Sequence, residues 1–418
     1  MSVMKKILSQ FIRTSYRVLR ARVLQQLIPQ SRVAFPAQKK PVIEVIGFFQ
    51  SISGIGESAR LCAQQLAADG YPVKCTSVES FFRKPAEMEW NWANTIHDDQ
   101  VQCRIYHLNP PMLPTVILQM GIKKFKQTYN IGYWAWELEL IPTEWIKATR
   151  YMNAIFTPSE FTTNVIQCYT KAPVLTVTHP VVAGQATANK RAALGIPEDA
   201  FLIANIFSFG SAMERKNPVA LVNAFKQVFK ETDNAHLVLK ANAGDESPEK
   251  KQLLELIAGH SKIHLIDQQW SRADILGLIQ CASVYASLHR SEGFGLTIAE
   301  AMLLGTPTLV TAWSGNMDFN TEENSFLIPF TQVPVNSPHP EFKGLTNAQW
   351  AEANSDEAAT ILKAIYTHPE LIAQKKVCCA QQMQACINNH KYQHALDKLT
   401  VLETGNNESL KTPEPIRL

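Results

Sequence analysis

From Pro41 onward, short apolar runs alternate with stretches whose apolar residues return at helical spacing. P-V-I-E-V-I-G-F-F (41–49) is rich in β-branched and aromatic residues and predicts a buried strand. The segment 56–69 predicts a helix, with Gly70 as its C-terminal stop. Further strands are expected at 71–78, 101–107, 128–134, 152–157 and 174–177. After the polar stretch 183–191 the rhythm restarts, with strands expected at 201–207, 235–241, 262–266, 282–287, 307–311 and 325–328. Helical segments such as 217–230 and 271–280 separate them. This alternation buries parallel strands beneath helices, so the expected class is α/β with two doubly wound domains facing across a cleft. The expected divisions are a leader (1–40), a first domain (41–185), a second domain with terminal helices after Trp350 (186–402), and a disordered tail (403–418).

The leader changes the charge picture. Nine of the 40 Lys and Arg residues lie in positions 1–40, which hold no acid. The rest of the 418-residue chain is therefore mildly acidic, although the formal net charge is +3. A nucleic-acid binder would carry basic charge on its folded body, so nucleic acid is not an expected partner. Apolar residues at helical spacing, from Met4 to Leu27, alternate with cations and end at Pro29. Residues 1–28 are therefore expected either to contact an anionic membrane surface or to pack on the protein itself. Arginines interrupt any secretory apolar region, and the eight cysteines are scattered without a C-x-x-C pair. Both features point to a reducing, cytoplasmic setting, with peripheral contact at the inner face of the membrane as an option.

Two loops carry candidate chemistry. S-G-I-G-E-S-A-R (53–60) joins the first strand to the first helix, and Gly54 and Gly56 leave room for a phosphate at a helix N-terminus. The third glycine of a dinucleotide site is absent, so a tight turn explains the loop equally well. The stretch S-E-G-F-G-L-T-I-A-E (291–300) places Glu292 in a loop and Glu300 on the helix that follows. Buried carboxylates need polar or cationic partners, and an acceptor-only group suits sugar hydroxyls.

The spacing Glu292-x7-Glu300 with G-F-G-L between resembles the signature of retaining glycosyltransferases of family 4 (glycosyl transferases group 1, mannosyltransferase-like). S-F-G-S-A-M-E-R-K-N-P (208–218) resembles that family's donor-phosphate element, and S-G-I-G-E-S-A-R its N-terminal glycine loop. The resemblance covers about residues 41–400 and implies the GT-B fold of two Rossmann-like domains. It implies that Arg215 and Lys216 hold a diphosphate, that Glu300 accepts from ribose hydroxyls, and that Glu292 lies beside the transferred sugar. Gly293, Phe294, Gly295 and Leu296 would offer backbone amides to sugar and phosphate, with Gly54 and Gly56 closing from the other domain. His107, at a strand end, resembles a histidine that related enzymes place near the donor sugar. Trp136 and Glu137, in G-Y-W-A-W-E-L-E (132–139), would line the acceptor side, although core packing suits the tryptophans as well.

The implied reaction moves a hexose, with retention, from a nucleoside-diphosphate sugar to a glycan or lipid-linked acceptor, as in surface polysaccharide synthesis. GDP-mannose is the preferred donor, no cofactor is needed, and the leaving phosphate takes the acceptor's proton. No D-x-D motif is present, and a cationic pair can do the work of a metal, so metal independence is expected. The alternatives are a GT-B sugar-nucleotide epimerase or phosphorylase, or a non-catalytic nucleotide-binding scaffold. An oxidoreductase is weaker, resting on Gly54 and Gly56 alone.

Overall fold

The computed structural model describes residues 27–187, 190–242 and 247–403. The expectations for a membrane-contacting helix over most of the leader and for a disordered tail lie outside them, apart from residues 27–40 and 403. Among the described residues no helix is long and apolar enough to cross a membrane.

Every residue of β1 (Ile43–Gly47) is buried, as expected for a strand covered on both faces. It pairs in parallel with β2 (Val73–Ser77) on one side and β3 (Cys103–His107) on the other. Beyond β3 follow β4 (Tyr129–Tyr133), β5 (Ala154–Thr157) and β6 (Val174–Thr176), giving the order β2-β1-β3-β4-β5-β6. The second sheet contains β7 (Phe201–Ser208), β8 (Ala235–Asn242), β9 (Ile263–Ile266), β10 (Val284–Ser287), β11 (Thr308–Thr311) and β12 (Ser325–Ile328). It is also parallel, in the order β12-β11-β10-β7-β8-β9. All twelve expected strands are therefore present.

In each sheet the chain first builds outward on one side and then crosses to the other. The crossing points lie between β1 and β3 and between β7 and β10. Crevices at the C-terminal ends of such strands are where open α/β sheets bind ligands. The glycine loop follows β1, His107 ends β3, the E-R-K turn follows β7, and the Glu292 loop follows β10.

Two features depart from expectation. A two-stranded antiparallel hairpin, β13 (Phe330–Pro334) and β14 (Gln349–Ala353), lies where the sequence offers no strand. β13 has no fully buried residue, so its apolar pattern is weak. The connection between its strands crosses to the first half, where Phe342, Ala348 and Trp350 share a core with Trp134, Trp136 and Trp145. The terminal helices, assigned by expectation to the second domain, also divide. Helix Ser355–Thr367 packs in the second half through Ala358, Ala359, Leu362 and Ile365. Helix Tyr392–Glu403 returns to the first sheet, inserting Tyr392, Ala395, Leu396 and Leu399 beside Val45, Cys62 and Ile105. Its apolar face matches the first core, so burial rather than chain order decides its position.

Candidate functional site

The turn Met213–Lys216 follows β7 and is bounded by two non-glycine residues in left-handed backbone, Ala212 (φ 58°) and Asn217 (φ 50°). Such strain persists only where surrounding contacts enforce it. Here Arg290 N donates to Arg215 O (2.8 Å), and Arg215 Nη1 donates to Ser291 O (2.9 Å). These bonds lock the turn to the loop after β10.

Glu292 sits between the two cations. Its Oε2 is 3.3 Å from Arg215 Nη1, and its Oε1 pairs with Lys216 Nζ. Burial pushes its carboxyl up, but Lys216 and Arg215 outweigh burial and hold it at about 2. Its backbone is pinned as well: Glu292 N donates to Ser314 Oγ (2.8 Å), and Gly315 N donates to Glu292 O (2.9 Å). Arg215 also faces the first half, with Nη2 3.4 Å from Glu137 Oε1. Burial pushes Glu137 up to about 7, opposed by Arg215.

The two halves meet at these loops. Gly293 O accepts from Ser159 Oγ (2.7 Å) and from Thr162 Oγ1 (3.5 Å), and Ser291 Oγ donates to Glu137 O. A Cβ at Gly293 would lie 3.2 Å from Trp136 O, so the loops approach at backbone distance. Gly295 takes φ 94° at the start of helix Leu296–Leu303, a conformation that favours glycine. A Cβ at Gly54 would lie 3.8 Å from Leu296 Cδ1, which brings the first glycine loop against that helix start.

Glu300 is held apart from the cationic pair. Its Oε1 pairs with Arg272 Nη2 at 2.6 Å, and its Oε2 is buried without a hydrogen-bond partner among the described residues. Burial raises its carboxyl, and Arg272 opposes the shift.

Three expectations are revised by the packing. Gly56 is required locally: a Cβ there would lie 2.6 Å from Phe48 O and Ser51 O, so its glycine serves the strand-to-helix turn. The Phe294 ring is buried against His179 and Phe319, which leaves its backbone, the part that the resemblance assigns to a ligand. His107 has no free edge for a sugar. Its Nδ1 contacts Ser58 Oγ (2.8 Å), its Nε2 contacts Tyr392 OH (3.5 Å), and its ring stacks on Tyr133 at 4.4 Å. Burial, with His179 nearby, holds it well below the usual histidine range. Trp136 is fully buried between Trp145 and Phe342, and its indole N–H donates to Leu140 O (2.9 Å), so it offers no stacking face to an acceptor.

Arg272, Ser159, Thr162, Ser314 and Gly315 were not singled out by the sequence. The turn W-S-G-N (313–316) after β11 was the available signal for the last two.

Residues 186–334 match the family model described as glycosyl transferases group 1. No curated protein is matched by sequence. Among solved structures, a glycosyltransferase from Rickettsia africae superposes with a TM-score of 0.61 at 14% identity, over 88% of this chain and 100% of that one. Sucrose-phosphate synthase from Thermosynechococcus elongatus gives 0.63 at 13% identity, over 87% and 98%. HepE of Anabaena, solved with UDP and glucose, gives 0.58 at 15% identity, over 87% and 99%. The fold is GT-B, and within it residues 186–334 match the domain of glycosyl transferases group 1.

Proposed function

We propose that the protein is a retaining glycosyltransferase that moves a hexose from a nucleoside-diphosphate sugar to a glycan or lipid-linked acceptor. One observation carries the reading: Arg215 and Lys216 converge on Glu292 in the cleft, beside the helix start that Gly54 approaches. A diphosphate entering here replaces Glu292 as partner of the two cations, each charge-assisted bond contributing ~1.5–3 kcal/mol. The released Glu292 carboxylate then lies beside the sugar and stabilises positive charge at the anomeric carbon. Glu300 Oε2, buried and unpartnered, is the acceptor for ribose hydroxyls.

The cationic pair neutralises the leaving diphosphate directly, which supports metal independence. HepE of Anabaena was solved with UDP-glucose, which supports a nucleotide-sugar donor. The E-R-K-N-P element supports GDP-mannose in particular. The leader's basic amphipathic pattern supports a lipid-linked acceptor at a membrane surface, reached by peripheral contact.

Calorimetric titration with GDP-mannose and UDP-glucose, followed by nucleotide-release assays with and without EDTA, tests the reading. Glu292→Ala abolishes release while retaining nucleotide binding, whereas Arg215→Ala weakens binding itself. Full activity in Glu292→Ala would remove the mechanism.

A further inference from the structure

We infer that Glu352, on the hairpin strand β14, is the positioning residue that holds the Arg215–Lys216 turn in shape to grip the donor's diphosphate. The inference rests on the donor-phosphate reading of that turn and adds the device that keeps its two cations in place.

The turn needs an outside hold. Ala212 and Asn217, at its two ends, both take left-handed backbone without being glycine. Such backbone relaxes unless its neighbours fix it. Met213–Lys216 is a single helical turn, too short to hold that shape by its own hydrogen bonds.

One carboxylate supplies the hold. Glu352 Oε1 accepts from Asn217 Nδ2 (3.2 Å) at the C-terminal end of the turn. Its Oε2 accepts from Arg290 Nε (2.7 Å) and lies 2.5 Å from Arg290 Nη2. The third nitrogen of that guanidinium, Nη1, donates to Glu214 O (2.7 Å), and Arg290 N donates to Arg215 O (2.8 Å). Every branch of the guanidinium is therefore engaged, and loss of the carboxylate frees Arg290 and Asn217 together. A planar, charged fork of this kind fixes direction as well as distance.

The brace is itself anchored. Ala351 N donates to Arg290 O (2.9 Å), and the Arg290 guanidinium lies 5.4 Å from the centre of the Trp350 ring. Trp350 is buried in the core that joins the hairpin to the first half, and Ala212 is buried in that same core. Ser337 Oγ, on the hairpin connection, donates to Glu214 Oε2 (3.0 Å). None of these contacts uses the side chain of Arg215, Lys216 or Glu292, so they stay in place when a diphosphate enters between the two cations.

Charge alone predicts the opposite sign. A carboxylate near an anion site repels the anion, so on that basis losing Glu352 tightens diphosphate binding and losing Arg290 weakens it. A positioning role makes both losses weaken it.

Calorimetric titration of the full chain with GDP and GMP, and with UDP and UMP, reads the turn as the ratio of diphosphate to monophosphate affinity. In the wild type the diphosphate binds more tightly. Glu352→Ala lowers the ratio about tenfold, with monophosphate affinity and melting temperature retained. Arg290→Met lowers it by a similar factor, and the double variant loses no more than either single one, because the two residues act as a unit. Glu352→Gln, which keeps the shape and one acceptor oxygen, falls between wild type and Glu352→Ala. A Glu352→Ala protein with an unchanged or higher ratio overturns the inference and leaves the donor-phosphate reading standing, as does one whose monophosphate affinity falls by the same factor. Where Glu352→Ala does not fold, Glu352→Gln and Arg290→Met decide, and ratios that move in opposite directions overturn the inference. A wild type that binds diphosphate no more tightly than monophosphate overturns the donor-phosphate reading and this inference with it.

Discussion

Arg272 Nη2 lies 2.6 Å from Glu300 Oε1, joining a side chain that is 45% exposed to one that is 2% exposed. The guanidinium keeps solvent contact while the carboxylate loses it, and Arg272 opposes the upward shift that burial imposes on Glu300. Arg272→Ala is expected to cost ~1–3 kcal/mol at neutral pH, since a buried carboxyl then lacks its charged partner. The sign with pH follows from the direction of the shift. Burial already raises Glu300, and removing Arg272 raises it further. The deficit therefore appears above the unfolded carboxyl range and shrinks below it. Urea unfolding at about pH 4 and pH 7 checks this; an equal loss at both would show that Arg272 acts through packing alone.

The Arg104–Glu44 pair is buried on both sides. Its partners are each 1% exposed and lie 2.6 Å apart across paired positions of β1 and β3. Thr76 Oγ1 also donates to Glu44 Oε1 at 2.6 Å. Arg104→Met leaves Glu44 with only Thr76 and Lys74 Nζ, 3.9 Å from its Oε1, and is expected to cost ~3 kcal/mol, whereas Arg104→Met with Glu44→Gln recovers most of the loss. The midpoint of chemical denaturation for the two variants measures the difference. Nucleotide release per folded molecule stays at the wild-type level in both, because neither residue reaches the cleft.

The strands were legible because a parallel sheet buried on both faces writes itself as continuous apolar runs, as in Phe201–Ser208. The β13–β14 hairpin was not, because Thr331 and Gln332 face solvent and no period-two pattern survives. Within the site, local motifs found Arg215, Lys216 and Glu292, which lie on adjacent loops after β7 and β10. Partners brought in from afar were invisible. Arg272 precedes Glu300 by 28 positions, and Tyr392, which closes one edge of His107, follows it by 285. His107 was placed correctly at a strand end, yet its surroundings are set by a helix that crosses between halves. Sequence spacing carries chemistry along one loop but not across the core.

Asp318 Oδ2 accepts from Glu160 N at 2.7 Å and so ties the second half to the first. Burial pushes its carboxyl up from the ordinary aspartate range to about 6. The folded state then binds the proton more tightly than the unfolded state, and stability falls as pH rises from about 4 to about 6. Asp318→Asn keeps an oxygen acceptor for Glu160 N without the charge. It is expected to be more stable than wild type by ~1–2 kcal/mol above that window and equal to it below. Thermal melts across the window measure the crossover; a constant offset at every pH would contradict the titration.

Gly315 tests whether the Glu292 loop must hold its backbone position to bind a donor. A Cβ at 315 would lie 2.3 Å from Gly293 O and 2.9 Å from Glu292 O, both backbone atoms that cannot swing aside. Gly315→Ala therefore has to displace the loop whose carboxylate pairs with Arg215 and Lys216. The expected result is a folded protein destabilised by ~1–3 kcal/mol, with nucleotide affinity reduced about tenfold or more, each factor of ten being about 1.4 kcal/mol. Ser314→Ala is the matched comparison, since it removes the hydroxyl that accepts from Glu292 N while adding no atom. It should lose less affinity, because the Gly315 N bond to Glu292 O still restrains the loop. Calorimetric titration with GDP or UDP ranks the two. If Ser314→Ala proves as damaging as Gly315→Ala, the hydrogen bond rather than the close backbone approach sets the loop.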